Sequence, residues 1–531
     1  MSGFQAAGSG GAGLQGGAGL SDGDGLSGGA GPHSDAGLQG DVGLLSPVSA
    51  SPLVAALTGD RAVLAAILAV EAGWAAVLEQ HDLAPSGSAA VVAHAAEASR
   101  YDLADIARRA QGGGNPVIPL LADLRAGVAT RIGAGKAVHT SLTSQDVLDT
   151  ALMLMARNTV DALLADVKGT TAALARLAEQ HANTLCVGRS LTQHSLPFTF
   201  GLRAAQWFHG LAAAARRLEA LDLPVQFGGA AGTLAAGTVL TSGSTADPFK
   251  LADGLAVQLG LAPAPAPWHT NRLAVTSLGD ALAAVVDALG KIAADVLFLS
   301  RPEVAEVAEP RAPGRGVSSA MPQKQNPVLS VLVRSAALQA PGLAAQLHLA
   351  AATFNDERPD GAWHTEWPAL RQLLAVALGA GGHLRELAEG LQVYPDGMRR
   401  NLDLSGPLLL SEGVSAAVAP LLSGGANDAG PAGADSDGKQ QLQAVVDKTL
   451  QVPAAQQAAT YRRLLREAVP ADKLSDERLA ELLNPAGYLG QAAEISRRIL
   501  AAFPDFAGTA TPTLSTEPAT TDPNGNGDSR G

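Results

Sequence analysis

Ser318, Ser319, Lys324 and Asn326 put two hydroxyls, an ammonium and an amide into one short stretch, Gly316-Val317-Ser318-Ser319-Ala320-Met321-Pro322-Gln323-Lys324-Gln325-Asn326-Pro327. Groups of this kind bind anions. A breaker-rich run, Ala312-Pro313-Gly314-Arg315, comes before it, and an apolar, helix-like run from Val328 to Leu349 follows. Asn326 suits a helix N-cap, and Pro327 the first helical turn, where a missing N–H costs nothing. Such a helix start offers free N–H groups to an anion. The plainer reading is a glycine-rich connector that ends in a cap.

A second polar stretch, His139-Thr140-Ser141-Leu142-Thr143-Ser144-Gln145-Asp146, leads towards an apolar run from Ala151 to Met155. Either Thr143 or Ser144 caps that helix, or His139, Thr143, Ser144 and Asp146 form a polar wall at its start. A third, Gly188-Arg189-Ser190-Leu191-Thr192-Gln193-His194-Ser195-Leu196-Pro197, supplies Gln193 and His194. His194 reads as an acid or base, or as a polar residue at a helix start. Arg358 has the planar fork that suits a substrate carboxylate, and equally a surface salt bridge.

The elements that must carry these groups are long and helical. Apolar residues recur at three- and four-residue spacing from Ala62 to Leu78, and Val160 to Glu179 reads the same way. Leu196–Leu221, Arg272–Ser300, Pro327–Ala352 and Glu366–Gln392 are rich in alanine and leucine. Pro197, Pro327 and Pro368 are expected in first turns, where proline is tolerated. β-Branched alternation is scarce, so an all-α core of long packed helices is expected. Gly112 to Pro119 and Gln226 to Leu234 are breaker-rich connectors. The second lacks the strand and the Gly-Lys-Ser/Thr of a phosphate loop.

The expected organisation is a disordered glycine-rich leader (1–45), an N-terminal helical domain (46–158) and a central long-helix bundle (159–392). A C-terminal helical domain (393–507) with a disordered insertion (424–438) and a disordered tail (508–531) complete it. The 531 residues carry 47% hydrophobic and 16% charged side chains, a globular composition. A net charge of −13 argues against nucleic acid as a partner. The single cysteine, Cys186, offers neither a disulfide framework nor a thiolate cluster, and a buried apolar role is expected for it. Without a recognisable signal segment or a charge-free apolar run of membrane length, no membrane span and a cytoplasmic location are expected.

The signature stretch resembles the GSSxMPxKxNP loop of the fumarase/aspartase superfamily, with Val317 in place of the usual glycine. The stretch at His139 is similar to the superfamily's H-x-G-x-T-S-x-D region, with Ser141 replacing glycine, and Gly188–Pro197 is similar to its G-R-T-H-x-Q-x-x-x-P region. Within the superfamily the chain looks most like the 3-carboxy-cis,cis-muconate cycloisomerase branch, through Gly114-Asn115-Pro116, Pro267–Arg272 and Glu357–Trp367. The likeness covers roughly residues 50–505.

That resemblance implies a fumarase/aspartase-like bundle, a homotetramer with active sites shared between subunits, and no cofactor or metal. It implies ring closure of 3-carboxy-cis,cis-muconate to 4-carboxymuconolactone in protocatechuate breakdown. Ser318 is implied as the base of the elimination direction. Thr143, Ser144, Gln193, Ser319, Lys324, Asn326 and Arg358 are implied as contacts to substrate carboxylates, and Gln226 as a residue facing the site. The superfamily's catalytic histidine and its glutamate partner fall at Leu191 and Val331 here, both apolar. Their joint loss is coherent, since neither leaves an unpaired buried charge. His139 or His194 is then the candidate to supply or relay a proton. A fumarate-releasing lyase of the adenylosuccinate type and a non-catalytic scaffold are the alternatives.

Overall fold

The computed structural model describes residues 43–129, 133–422 and 431–508. Most of the expected leader, residues 424–430 of the expected insertion and 509–531 of the expected tail lie outside the described residues. Five helices come first: α1 (Pro52–Thr58), α2 (Asp60–Gln80), α3 (Ser88–Ala95), α4 (Leu103–Ala110) and α5 (Val117–Val128). Local chemistry explains their ends. Ser51 accepts the Val54 N–H and Pro52 opens α1, an arrangement that satisfies one orphan donor and spares another.

The 37-residue α6 (Ser144–Gln180) follows, then an antiparallel hairpin, β1 (Leu185–Ser190) with β2 (Gln193–Thr199), and α7 (Phe200–Glu219). Short α8 (Ala235–Leu240) and α9 (Pro248–Leu259) precede α10 (Leu273–Leu299). Next come β3 (Val307–Ala308), α11 (Val328–Ala352), α12 (Gly361–Glu389) and β4 (Gln392–Val393), and β3 pairs with β4. Helices α6, α7, α10, α11 and α12 pack on one another and bury Leu163, Phe208, Leu282, Leu289 and Leu373 completely. Each such side chain contributes about 1.5–3 kcal/mol by leaving water. Among the described residues the fold is all-α but for these two small β pairs.

The C-terminal part runs through α13 (Pro395–Ser405), α14 (Ser411–Leu422), α15 (Pro431–Leu450), α16 (Ala454–Ala468), α17 (Asp476–Leu482), α18 (Ala492–Ala502) and α19 (Pro504–Ala507). Val418, Tyr461 and Leu465 belong to a second apolar cluster built from α14 to α17. Burial pushes the Tyr461 phenol up to about 12.

Several local expectations need correction. Leu196 to Thr199 is strand, so Pro197 lies in β2; the helix begins at Phe200, where Thr199 accepts the Leu202 N–H. Pro368 sits inside α12, because Asp360 starts that helix earlier by accepting the Gly361 N–H at 2.6 Å. Pro327 is the N-cap residue of α11, displacing Asn326 from that role. The expected boundary at 158/159 falls within unbroken α6, and α15 makes 431–438 helical. By length and composition Pro52–Gln80, Val328–Ala352 and Pro395–Leu422 are apolar enough to cross a membrane, contrary to the expectation. Alanine- and leucine-rich bundle helices meet that criterion because they bury one face against other helices.

Candidate functional site

The start of α6 is a polar wall and a cap at once. The Asp146 carboxylate accepts the Thr143 N–H at 2.9 Å, closing a capping box, and also the N–H groups of Gly228 (2.9 Å) and Gly229 (3.0 Å). His269 Nε2 adds a fourth close partner at 2.8 Å. Asp146 is thus buried and fully engaged in joining α6 to the glycine-rich bend. Gln226 is also spent on structure: it accepts the Trp268 N–H at 2.8 Å and is buried, which corrects the expectation that it faces a site. Only glycine fits at Gly228, where an added Cβ would lie 2.9 Å from the His269 ring.

On the open side of this wall stand His139, Thr143, Ser144 and Arg358. Arg358 donates to Thr143 Oγ1 at 2.5 Å, so the cap residue also receives a guanidinium. His139 Nδ1 lies 2.7 Å from Glu71 Oε1. Behind them Arg272 forks between two carboxylates, Asp149 at 2.7 Å and Glu366 at 2.6 Å. Its guanidinium is stacked between Trp268 and Phe354, 4.9 and 5.0 Å away. Burial works against the Arg272 charge, but Asp149 and Glu366 outweigh it and hold its pKa above the ordinary value. Burial raises the Glu366 carboxyl despite that partner. This network braces Phe354, on the segment that carries Arg358.

The signature loop is built differently. Gly316 O accepts both the N–H of Asn326 (2.8 Å) and its side-chain amide (3.1 Å), and Val317 pairs with Gln325 across the neck. Gly316 takes φ +69°, and a Cβ there would lie 2.4 Å from the Gln325 amide. Above the neck Ser319 and Lys324 are exposed. Ser318 Oγ accepts the N–H of Met321 at 3.1 Å and of Ala320 at 3.4 Å. The free N–H groups expected to attract an anion at α11 are already taken, since Glu309 accepts from Leu329 (3.1 Å) and Ser330 (2.7 Å).

Gln193 and His194 lie on the hairpin. Its tip, Leu191 and Thr192, adopts φ +49° and +70° with neither glycine nor asparagine, and Leu191 is 94% exposed. Arg189 anchors the hairpin by pairing with buried Glu306 at 2.5 Å, which Asn401 also contacts at 2.7 Å. His194 Nδ1 meets Ser405 Oγ at 2.9 Å. Burial, and then the Arg189 charge, lower the His194 pKa below the ordinary imidazole value.

The candidates therefore form two groups. Hairpin and signature loop share one end of the bundle, because Glu306 anchors the first and Glu309 the second. That end is fixed by Arg315, next to the loop, which pairs with Glu386 near the C-terminus of α12 at 2.6 Å. Arg358 leads into the opposite end of α12. Between Gly361 and Glu386 a helix rises roughly 35–40 Å. Ser318, Gln193 and His194 are thus far from His139, Thr143 and Arg358 within one chain. Glu71, Asp149, Arg272, Glu306, Glu309 and Glu366 were not singled out by sequence. Arg272 and Glu366 lie in segments noted for resemblance alone, and nothing in their spacing betrays the pairing. Among the described residues no group of three or more His, Cys, Asp or Glu side chains is placed to hold a metal ion.

A family model described as "Lyase" matches residues 74–342. A nitrosuccinate lyase from Streptomyces davaonensis is 42% identical over 454 residues, covering 84% of this chain and 92% of that protein. A 3-carboxy-cis,cis-muconate cycloisomerase from Bradyrhizobium diazoefficiens is 38% identical over 465 residues, 86% of this chain and 97% of that protein. The crystal structure of 3-carboxy-cis,cis-muconate lactonizing enzyme from Pseudomonas putida superposes with a TM-score of 0.75 at 34% identity, covering 87% of this chain and 99% of that one.

Proposed function

From the premise that this chain belongs to the fumarase/aspartase superfamily of lyases, we propose that it is a cycloisomerase that closes 3-carboxy-cis,cis-muconate to a γ-lactone. One carboxylate oxygen adds across the conjugated double bond. The electron pair moves to the adjacent carbon and into its carboxylate, and that carbon then takes a proton. No atom leaves. Ser318 supplies the proton, and its oxygen is left as an alkoxide facing the N–H groups of Ala320 and Met321. Arg358, Thr143, Ser144, Lys324 and Gln193 hold substrate carboxylates, and Ser319 and Asn326 shape the loop around them. Because the two groups of residues occupy opposite ends of one chain, the working site is completed by other copies in a homotetramer.

The observation that carries this reading is the pair Leu191 and Val331, apolar where the superfamily has its histidine and glutamate. A reaction that expels a basic amine, as in the adenylosuccinate type, needs an acid for the leaving nitrogen. Ring closure by a carboxylate does not. Loss of nitrite from nitrosuccinate does not need one either, and the 42% identity to a nitrosuccinate lyase makes that the second reading. There the base takes a proton from carbon, the C–N bond breaks, and nitrite leaves with fumarate as the other product.

The test is direct. Purified protein is added to 3-carboxy-cis,cis-muconate, with loss of diene absorbance followed, and separately to nitrosuccinate, with nitrite followed. Diene loss at an enzymatic rate is expected; nitrite release without diene loss would replace the first reading by the second.

A further inference from the structure

We propose that Glu71 is the positioning residue for His139, and that the two form a histidine–carboxylate dyad in place of the one lost at Leu191 and Val331. The inference rests on the reading above, in which Thr143, four residues beyond His139, and Arg358 hold a substrate carboxylate. Glu71 lies in the middle of α2 with its side chain completely buried, while the His139 side chain is 13% exposed. An ionised carboxylate only accepts, so the 2.7 Å contact fixes the ring hydrogen on Nδ1. Nε2 is the nitrogen left to hold or hand over a proton.

The local backbone is arranged for this contact. His139 and Ser141 both take left-handed φ values, +60° and +66°, costly for residues with a Cβ. They are held there by three anchors: Trp74 Nε1 donates to Thr140 O at 2.8 Å, Thr140 Oγ1 to Lys136 O at 2.5 Å, and Ser141 Oγ to Ala236 O at 3.2 Å. Trp74 lies three residues beyond Glu71, so one face of α2 grips the loop and aims its histidine. A buried carboxylate paired with one histidine is expensive as mere scaffold, and among the described residues Glu71 Oε2 has no hydrogen-bond partner. The superfamily-like position of His139 drew attention to the ring alone; its partner comes from 68 residues upstream.

The experiment compares Glu71→Gln, Glu71→Asp and His139→Ala in the full-length protein. Glu71→Gln keeps an oxygen for Nδ1–H but removes the charge. On whichever of the two substrates the wild type turns over, kcat is expected to fall roughly 10- to 100-fold with KM little changed. In the His139→Ala background the same change should have no further effect. Glu71→Asp should recover part of the rate, which also covers the case in which the amide variant folds poorly. Additive losses in the double variant, or full activity of Glu71→Gln, would overturn the proposal. Ring 15N spectra, with His139 assigned by its loss in His139→Ala, need no substrate. A ring hydrogen on Nδ1 that Glu71→Leu displaces supports the dyad even if neither compound is turned over, in which case only the reading of the reaction falls. An unchanged ring spectrum would overturn the dyad whatever the substrate.

Discussion

The start of α6 and the signature loop look alike as sequence, each a run of hydroxyls, amides and one or two charges before an apolar helix. In the folded chain they are opposites. At α6 the Asp146 carboxylate is committed: it is buried, and backbone amides from a bend some eighty residues away converge on it. In the loop the neck is tied by Gly316, Val317, Gln325 and Asn326, Ser318 Oγ accepts only local N–H groups, and Ser319 and Lys324 stand in solvent. Motif polarity alone therefore does not say which side chains do chemistry. Committed partners mark scaffold, and uncommitted ones on a fixed neck mark what is left for a ligand.

The largest expected effect tests the uncommitted side. Ser318→Ala should lower kcat by about 10²–10⁴, the range for a lost acid–base group. Its melting temperature should stay close to that of the wild type, because a half-buried loop residue outside the helical core contributes little to stability. Asp146→Asn should behave the other way round. Its new amide hydrogens would face backbone and ring donors, a cost of about 2–4 kcal/mol that appears as a lower midpoint in denaturant. If Ser318→Ala unfolds the protein and Asp146→Asn leaves its stability alone, the contrast between the regions is wrong.

Arg358→Lys is expected to have a smaller effect. A lysine retains charge but loses the fork that reaches Thr143, so kcat/KM should drop roughly 10-fold, mostly through KM. A fall in kcat alone would place Arg358 at the reacting carbon and not at a remote carboxylate.

Much of this was legible in the sequence for a physical reason. Helical periodicity and the three polar stretches are local signals, and α2, α10 and α11 fall close to where spacing puts them, while α6 begins well before the Val160–Glu179 run. What was missed is either non-local or lacks its usual marker. Arg272 meets Asp149 and Glu366 across 123 and 94 residues, and no spacing rule links them. Glu309 caps α11 from outside the helix, so Asn326 looked like the better cap. The hairpin at 185–199 turns on Leu191 and Thr192, where Asn-Gly or Asp-Gly would have announced it. Its second strand therefore read as the start of α7.

The smallest expected effect is the sharpest test of the loop's construction. Val317 stands where the related loops carry glycine, and it pairs with Gln325 to close the neck. A β-branched residue favours that extended pairing, and glycine would lose about 0.5–1 kcal/mol of order there. Val317→Gly should therefore change kcat by no more than about fivefold, since that energy is worth roughly a factor of two to five. Stability should not move, because the pairing joins two exposed residues. The sign of the rate change carries the information. A faster enzyme would mean that opening of the neck limits turnover, and a slower one that Ser318 depends on a stiff neck to be held near the reacting carbon. A change in melting temperature comparable to that of Asp146→Asn would show that the neck is part of the packed scaffold, and the distinction between the two regions would then have to be drawn above Gly316 and Asn326.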